Sequence, residues 1–326
     1  MISESKINEV VAGLFRAIRC TQEPAGLYDP LRYMIQIGGK RIRPRLCITA
    51  YSLFRDVIDE DIFEPAMALE VFHSFTLLHD DIMDKSPLRR GKPTVWTKWS
   101  EDTAILSGDV MQIDAYKRMA KAPADKVPNV IALFSKTAAE VCEGQQYDME
   151  FESVDEVKMS EYEKMIGLKT AVLLACSAAI GAIIGGADAA TSQALYNYGY
   201  ELGMAFQVAD DYLDAFGDEK VFGKPIGGDI LNEKKSWLTV RAMEKTADKA
   251  AFLTEFKGKA STPEQKEAKI ASVKNLYLAL GVPEDAKSAI LGYTSKAMDA
   301  LSESGFSKVQ YEVLRRFAEN LVGRVK

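Results

Sequence analysis

The sequence predicts an all-α protein. Three observations carry that expectation. Apolar residues recur at i, i+3, i+4 and i+7 over most of the 326 residues, Pro and Gly punctuate the gaps, and no alternating β-branched run stands out. Taken in order, the helical periods cover residues 4–20, 45–55, 65–84, 102–120, 127–150, 158–184, 191–215, 230–246, 264–280, 284–301 and 307–322. The breakers are Pro24 with Gly26, Gly38-Gly39, Pro87, Pro123, Gly185-Gly186, Gly227-Gly228, Pro263 and Pro283. Glu64-Pro65 and Thr262-Pro263 read as helix starts, because Pro is tolerated at the first helical position, where its missing N–H has no partner to lose. No G-x-G-x-x-G follows a strand and no low-complexity linker divides the chain, so one domain over 1–326 is expected.

At 47% hydrophobic the chain can bury a sizeable core. A formal charge of -6 argues against bulk electrostatic binding of nucleic acid, while leaving room for a local basic pocket. Cys20, Cys47, Cys142 and Cys176 show no C-x-x-C spacing and read as buried free thiols in a reducing compartment. The N-terminal stretch is an amphipathic helix with acids mixed in, not a signal peptide. Residues 171–187 lack charge over 17 positions, short of the roughly 20 that span a bilayer, and are rich in Ala and Gly. A buried helix, no integral membrane segment and a cytoplasmic protein are expected.

Two acidic clusters stand out. "HDDIMDKSPLRRGKP" (79–93) and "ADDYLDAFGDEKVFGKP" (209–225) each give Asp-Asp-x-x-Asp, a loop and Gly-Lys-Pro. At about 100° per residue, Asp80 and Asp84 lie about 40° apart on a helix with Asp81 to one side, and Asp210, Asp211 and Asp214 repeat the pattern. Such clusters repel, and they sit late in their helices, where the macrodipole disfavours negative charge. A bound cation would offset both costs, and hard carboxylate oxygens suit Mg²⁺ with substrate phosphates. The alternative is a solvated acidic face, which the apolar lead-ins "VFHSFTLL" and "GMAFQVA" oppose. Just past the acids come Arg89, Arg90, Lys92 and Lys224, and "IGGKRIRPRL" (37–46) adds Lys40, Arg41, Arg43 and Arg45 after a Gly pair. Arg offers bidentate bonds to phosphate and Lys a point charge. Alone, "GGKRIRP" also reads as a surface basic loop. Together, both signs fit carboxylates bridging Mg²⁺ to a diphosphate whose other oxygens meet cations. The two similar helix ends are expected to face each other.

The motifs resemble those of the trans-isoprenyl diphosphate synthases (polyprenyl synthetases). The resemblance covers nearly the whole chain, through "GGKRIRP", "LLHDDIMD" with "RRGKPT", "GLKT" (167–170), "FQVADDYLD" (206–214) and "FGKPIGGD" (222–229). It implies an antiparallel helical bundle around a deep central cavity, a homodimer, and head-to-tail joining of isopentenyl diphosphate to an allylic diphosphate. It implies three Mg²⁺, with Mn²⁺ as a substitute. Asp80 and Asp84 would ligate two of them on the allylic diphosphate with support from Asp81, and Asp210 the third, with Asp211 and Asp214 acting largely through water. Arg89, Lys169 and Lys224 would hold the allylic diphosphate. Lys40, Arg43, His73 and Arg90 would hold isopentenyl diphosphate. Thr170 and Gln207 would stand near the nascent carbocation. No side-chain base is evident, and the departed diphosphate is the expected proton acceptor.

Each assignment has a plainer alternative. His73, about 20° from Asp80 around the helix, reads equally as a satisfied core histidine. Thr170 could bond back to a helix carbonyl and Gln207 could cap buried polar groups. Asp109 and Asp148 read as structural, Arg241 and Lys245 as solvated, and His79 has no role. Phe75 and Thr76 stand five and four positions before Asp80, about 7.5 and 6 Å back along the helix. An aromatic there would floor the product pocket, with Phe72 one turn lower, though both rings are also ordinary core residues. In the family such aromatics accompany short products. The first cluster also lacks the two-residue insertion of bacterial farnesyl enzymes, so farnesyl or geranylgeranyl diphosphate is expected, with a longer-chain synthase as the alternative. Terpene cyclases usually mix Asn or Asp with Ser or Thr and Glu in the second motif, and both they and head-to-head synthases lack "GGKRIRP". A non-catalytic partner subunit would tend to lose aspartates that this chain keeps.

Overall fold

The computed structural model describes residues 2–218, 226–302 and 304–323. Short polar side chains start many of the helices by accepting from amides that have no partner within the first turn. Ser3 caps α1 (Glu4–Ala17), which is followed by α2 (Ala25–Ile37) and α3 (Ile42–Ser52). Asp59 caps α4 (Glu60–Met83). A two-residue hairpin, β1 (Leu88–Arg89) with β2 (Lys92–Pro93), leads into the single turn α5 (Val95–Lys98) and the Ser100-capped α6 (Glu101–Met119). Then come α7 (Val127–Glu152), α8 (Met159–Ile166), a π turn over Gly167–Ala171, α9 (Val172–Gly185) and α10 (Ala189–Phe216). The rest is α11 (Gly228–Leu231), α12 (Trp237–Lys245), α13 (Lys249–Phe256), α14 (Pro263–Ala279), α15 (Val282–Asp299) and α16 (Lys308–Val322). Reciprocal capping boxes, Thr262 with Gln265 and Ser307 with Gln310, open α14 and α16.

The chain groups into two compact units, with divisions that fall inside α7, α9 and α10. The first takes Met1–Lys136 and Cys176–Tyr196. In it α4 packs on α3 and α6, α2 on α6, and α1 on α3. Leu46, Ile48, Tyr51, Leu69, Phe72 and Leu78 are fully enclosed, each aliphatic one contributing about 2 kcal/mol of transfer free energy. Gly181 explains part of the small-residue run: a Cβ there would strike the Cys47 carbonyl, so α9 reaches α3 only through glycine. The second unit takes Thr137–Ala175 and Asn197–Lys326. There α12 packs on α8, α14 and α15, while α11 and α13 pack on α14. Its core includes Tyr162, Met165, Trp237, Leu238, Phe256, Val273 and Tyr277.

The all-α expectation holds, and several element boundaries need correction. Helix α2 was not expected, because Pro24 and Gly26 look like breakers. Pro24 instead stands at the N-cap and Pro30 lies within the helix. Helix α4 starts at Glu60 rather than 65, since Asp59 supplies the cap and Pro65 is carried inside. Helix α3 starts three residues early, with Pro44 in its first turn, where proline loses no bond. The period over 230–246 is split between α11 and α12, with Glu233 at φ 55° in the gap. Helix α13, capped by Asp248, lies where no helix was expected. Helix α1 ends before Cys20, which has φ 45°. Among the cysteines, Cys47 and Cys176 are buried and Cys20 partly so, but Cys142 is exposed; all four are free thiols. The apolar stretch is one helical run, Met159–Gly185, long enough to cross a membrane, yet its most apolar window is 78% buried within the protein.

Candidate active site

In the first unit the acidic cluster closes α4. Asp80 and Asp81 occupy its last turn and Asp84 its C-cap. Asp81 turns inward, at 2% exposure, and Arg89 grips it. Arg89 Nε lies 2.9 Å from both carboxylate oxygens and a terminal nitrogen 2.8 Å from Oδ1, while that nitrogen is 3.8 Å from Asp80. Burial raises the Asp81 pKa and the Arg89 guanidinium pulls it back. The hairpin delivers Arg89. Arg90 and Gly91 form its two-residue turn with φ of 53° and 73°, the type I′ geometry whose twist suits a tight hairpin. The sequence placed these cations in a loop; the ordered turn was not foreseen.

The basic loop before α3 is built around two glycines. Gly38 and Gly39 have φ of 86° and 154°, and an ideal Cβ on Gly39 would lie 2.7 Å from a terminal nitrogen of Arg90. Only glycine leaves room for that guanidinium. Arg41, at φ 50°, is spent on structure: it bonds Glu70 at 3.0 Å and the Ile35 carbonyl at 2.5 Å, and lies 4.3 Å over the Phe15 ring. Arg43 is buried in the first turn of α3, and burial lowers its pKa to about 10, still charged at neutral pH. Its Nε and the Glu70 Oε2 are buried without a hydrogen-bond partner; an anionic ligand would satisfy the guanidinium N–H, not the carboxylate oxygen. His73 is partly buried. Desolvation, then repulsion by Arg43, Arg90, Arg89 and Arg41, holds its pKa well below 6.5, so it is neutral among cations. Lys40 lies exposed on the loop. Glu70 was missed by sequence reasoning, although a lone acid inside the apolar run "MALEVF" was a usable signal.

One to three turns before Asp80 the same helix carries aromatics. Phe75 packs 5.4 Å from Phe72, which meets Phe134 at 5.3 Å, and Phe134 meets Tyr116 at 4.9 Å. Thr76 bonds back to the His73 carbonyl at 2.9 Å. His79 packs at 4.8 Å from Phe75, sits where a Cβ on Gly108 would be, and bonds the Ile105 carbonyl at 3.1 Å. It is a packing residue.

In the second unit, Lys169 and Thr170 sit in the π turn, a geometry that is rare and concentrated at functional sites. Lys169 Nζ pairs with Asp148 at 2.5 Å. Thr170 does not bond back to its helix; its hydroxyl donates to Gln207 Oε1 at 3.0 Å. Gln207 Nε2 donates in turn to Asp211 Oδ1 at 2.9 Å. Asp211 is buried, and burial raises its pKa to about 6 against the Tyr162 hydroxyl at 2.5 Å, the Trp237 amide at 2.7 Å and Gln207. Asp214 is buried too, accepting from the Asp229 amide at 2.9 Å. Asp211 and Asp214, the expected water-mediated supports of the third ion, also bond directly to protein groups that tie α10 to α8, α11 and α12. Asp210 is partly exposed at the same helix end. Lys224 lies outside the described residues. Arg241 and Lys245, read as solvated, pair with Asp285 at 2.9 and 2.8 Å.

Among the described residues no group of three acidic, histidine or cysteine side chains is arranged to enclose a metal by itself. Asp80 with Asp84, and Asp210, are nonetheless oxygen donors of the type Mg²⁺ takes singly or in pairs, with water and phosphate completing its shell.

Comparison with known proteins finds the likeness of this chain among prenyl diphosphate synthases. Residues 24–276 match the family model described as polyprenyl synthetase. The geranylgeranyl diphosphate synthase of Methanosarcina mazei is 41% identical over 224 residues, 68% of this chain and 69% of that protein. The geranylfarnesyl diphosphate synthase of Natronomonas pharaonis is 38% identical over 244 residues, 70% and 72% of the two chains. A crystal structure of a geranylgeranyl pyrophosphate synthase superposes with a TM-score of 0.92 at 42% identity, covering 99% of each chain.

Proposed function

The chain belongs to the polyprenyl synthetase family, and from that premise we propose that it makes geranylgeranyl diphosphate, adding isopentenyl diphosphate head-to-tail to an allylic diphosphate with release of diphosphate. It is a prenyltransferase with the all-α fold of its relatives. The twenty-carbon length rests on the likeness to geranylgeranyl diphosphate synthases, with Phe75 as the proposed floor of the product pocket. Its ring stands five residues before Asp80 with Phe72 and Phe134 behind it, and the smaller Thr76 occupies the fourth place. A ring at the fifth position leaves about 1.5 Å more depth than one at the fourth.

Asp80 and Asp84 would hold Mg²⁺ for the allylic diphosphate, and Asp210 would hold a third ion. Bound Mg²⁺ supplies positive charge that stabilises the leaving diphosphate as the allylic C–O bond breaks. Arg89 and Lys169 bind the same diphosphate, Arg89 being oriented by Asp81; Lys224 shares that part. Lys40, Arg43, His73 and Arg90 bind isopentenyl diphosphate. The unpartnered Arg43 Nε supports this assignment. The oxygens of Thr170 and Gln207 stabilise the carbocation that the double bond of isopentenyl diphosphate attacks, and the proton lost afterwards passes to diphosphate. A cytoplasmic homodimer is the working form.

Incubation with isopentenyl diphosphate, dimethylallyl, geranyl or farnesyl diphosphate and Mg²⁺, with chromatographic sizing, tests the length. Geranylgeranyl diphosphate is expected. Farnesyl diphosphate as the end product would overturn the length, and a cyclic hydrocarbon the reaction. Replacing Asp80 and Asp84 together by Ala abolishes turnover; an unchanged kcat would remove the metal assignment.

A further inference from the structure

Tyr162 is fully enclosed in α8, and nothing in the reaction requires a phenol there. Its hydroxyl nevertheless ends a chain of hydrogen bonds that reaches Thr170. The direction of every bond in that chain follows from chemistry. The Trp237 main-chain N–H can only donate, so Asp211 Oδ2 accepts from it at 2.7 Å, and it accepts from the Tyr162 hydroxyl at 2.5 Å as well. Asp211 Oδ1 then accepts from Gln207 at 2.9 Å, so the amide must present its Nε2 to Asp211. Oε1 is left facing Thr170, and the Thr170 hydroxyl, 3.0 Å away, must donate to it. With its proton committed, Thr170 keeps two lone pairs and no donor for any third group. A flipped Gln207 would reverse this: its N–H would point at Thr170 and free the hydroxyl proton to turn toward the substrate.

We propose that Tyr162 is a positioning residue for catalysis: with the Trp237 amide it holds the Asp211 carboxylate, which locks Gln207 in one orientation and makes Thr170 a pure acceptor toward developing positive charge. Tyr162 and Thr170 lie eight residues apart on either side of the start of the π turn, and they bond to Asp211 and Gln207, one turn apart on α10. The chain of bonds thus also fixes the π turn against α10. An oxygen dipole aimed beforehand stabilises a cation without reorganising during the reaction. The inference rests on the roles proposed above for Thr170 and Gln207.

The test is a double-mutant cycle. Tyr162→Phe keeps the ring and removes only the donor. Its kcat should fall about tenfold, as for loss of a hydrogen bond to a charged group, with KM for both diphosphates within about twofold. Thr170→Val alone should also lower kcat, and adding Tyr162→Phe to it should cost little more. Tyr277→Phe is the control: it removes another enclosed phenol, bonded to Thr239 at 2.8 Å rather than to Asp211, and should lower the Tm while leaving kcat unchanged. An undiminished tenfold loss on the Thr170→Val background, or equal kcat losses in Tyr162→Phe and Tyr277→Phe, would make Tyr162 merely structural and overturn the proposal. So would an unchanged kcat in Tyr162→Phe where Thr170→Val is impaired, which leaves the roles of Thr170 and Gln207 standing. An unaffected Thr170→Val would remove those roles and the proposal with them.

Discussion

Asp81 and Arg89 are bound to each other at 2.8–2.9 Å, while Arg43 and Glu70 keep buried polar atoms without partners. Neighbouring charges of one type therefore have different duties, and only the fold distinguishes them. His73 lies among four guanidinium groups that hold it neutral. The unfolded chain takes up a proton as the pH falls through about 6.5 while the folded one does not, so the unfolded state binds more protons and stability drops from about pH 7 downward. The Tm advantage of the wild type over His73→Asn should therefore shrink between pH 7 and 5 in thermal melts; a constant difference would count against a neutral, cation-surrounded ring. Phe75→Ala should lengthen the product beyond twenty carbons and cost about 3 kcal/mol of stability. An unaltered product spectrum would remove Phe75 as the floor. The Asp, Arg, Lys and Phe candidates were legible in the sequence because charge and spacing are written there. Glu70 and Tyr162 were not recognised, because their importance lies in what they touch.

The element that matters most is the π turn over Gly167–Ala171. Periodicity predicts an unbroken helix there, since residues 171–187 are small or apolar on every side and a shift of about 100° from one extra residue leaves no trace in them. Glycines on neighbouring helices make room for it. A Cβ on Gly144 of α7 would strike the Lys169 main chain, and one on Gly203 of α10 would lie 2.5 Å from the Ala171 Cα. Gly144→Ala gains about 1 kcal/mol of helix propensity but must displace backbone, at about 1–3 kcal/mol. Lowered kcat with a Tm equal to or below wild type is expected; full activity would mean that the turn tolerates displacement. The hairpin was likewise hidden, being two residues per strand. Helix α2 was hidden because Pro24 and Gly26 mimic a break, whereas Pro24 stands at the N-cap and Gly26 in the first turn.

At the scale of the molecule, the proposed reaction depends on divalent ions and diphosphates rather than on any side-chain base. Excess chelator should abolish turnover and Mg²⁺ should restore it, as followed by incorporation of labelled isopentenyl diphosphate; activity that survives chelation would end the metal-dependent mechanism. The sequence by itself determined the fold class, the two acidic clusters, the basic motifs and the family resemblance. These are patterns of residue type at fixed spacing, and they survive without knowledge of any contact. Only the tertiary structure decided that Asp211 and Asp214 turn inward, that Arg89 serves Asp81, and that Thr170 donates to Gln207. Burial and hydrogen-bond partners come from residues far apart in the chain, 49 positions in the case of Tyr162 and Asp211, and local periodicity carries no record of such pairings.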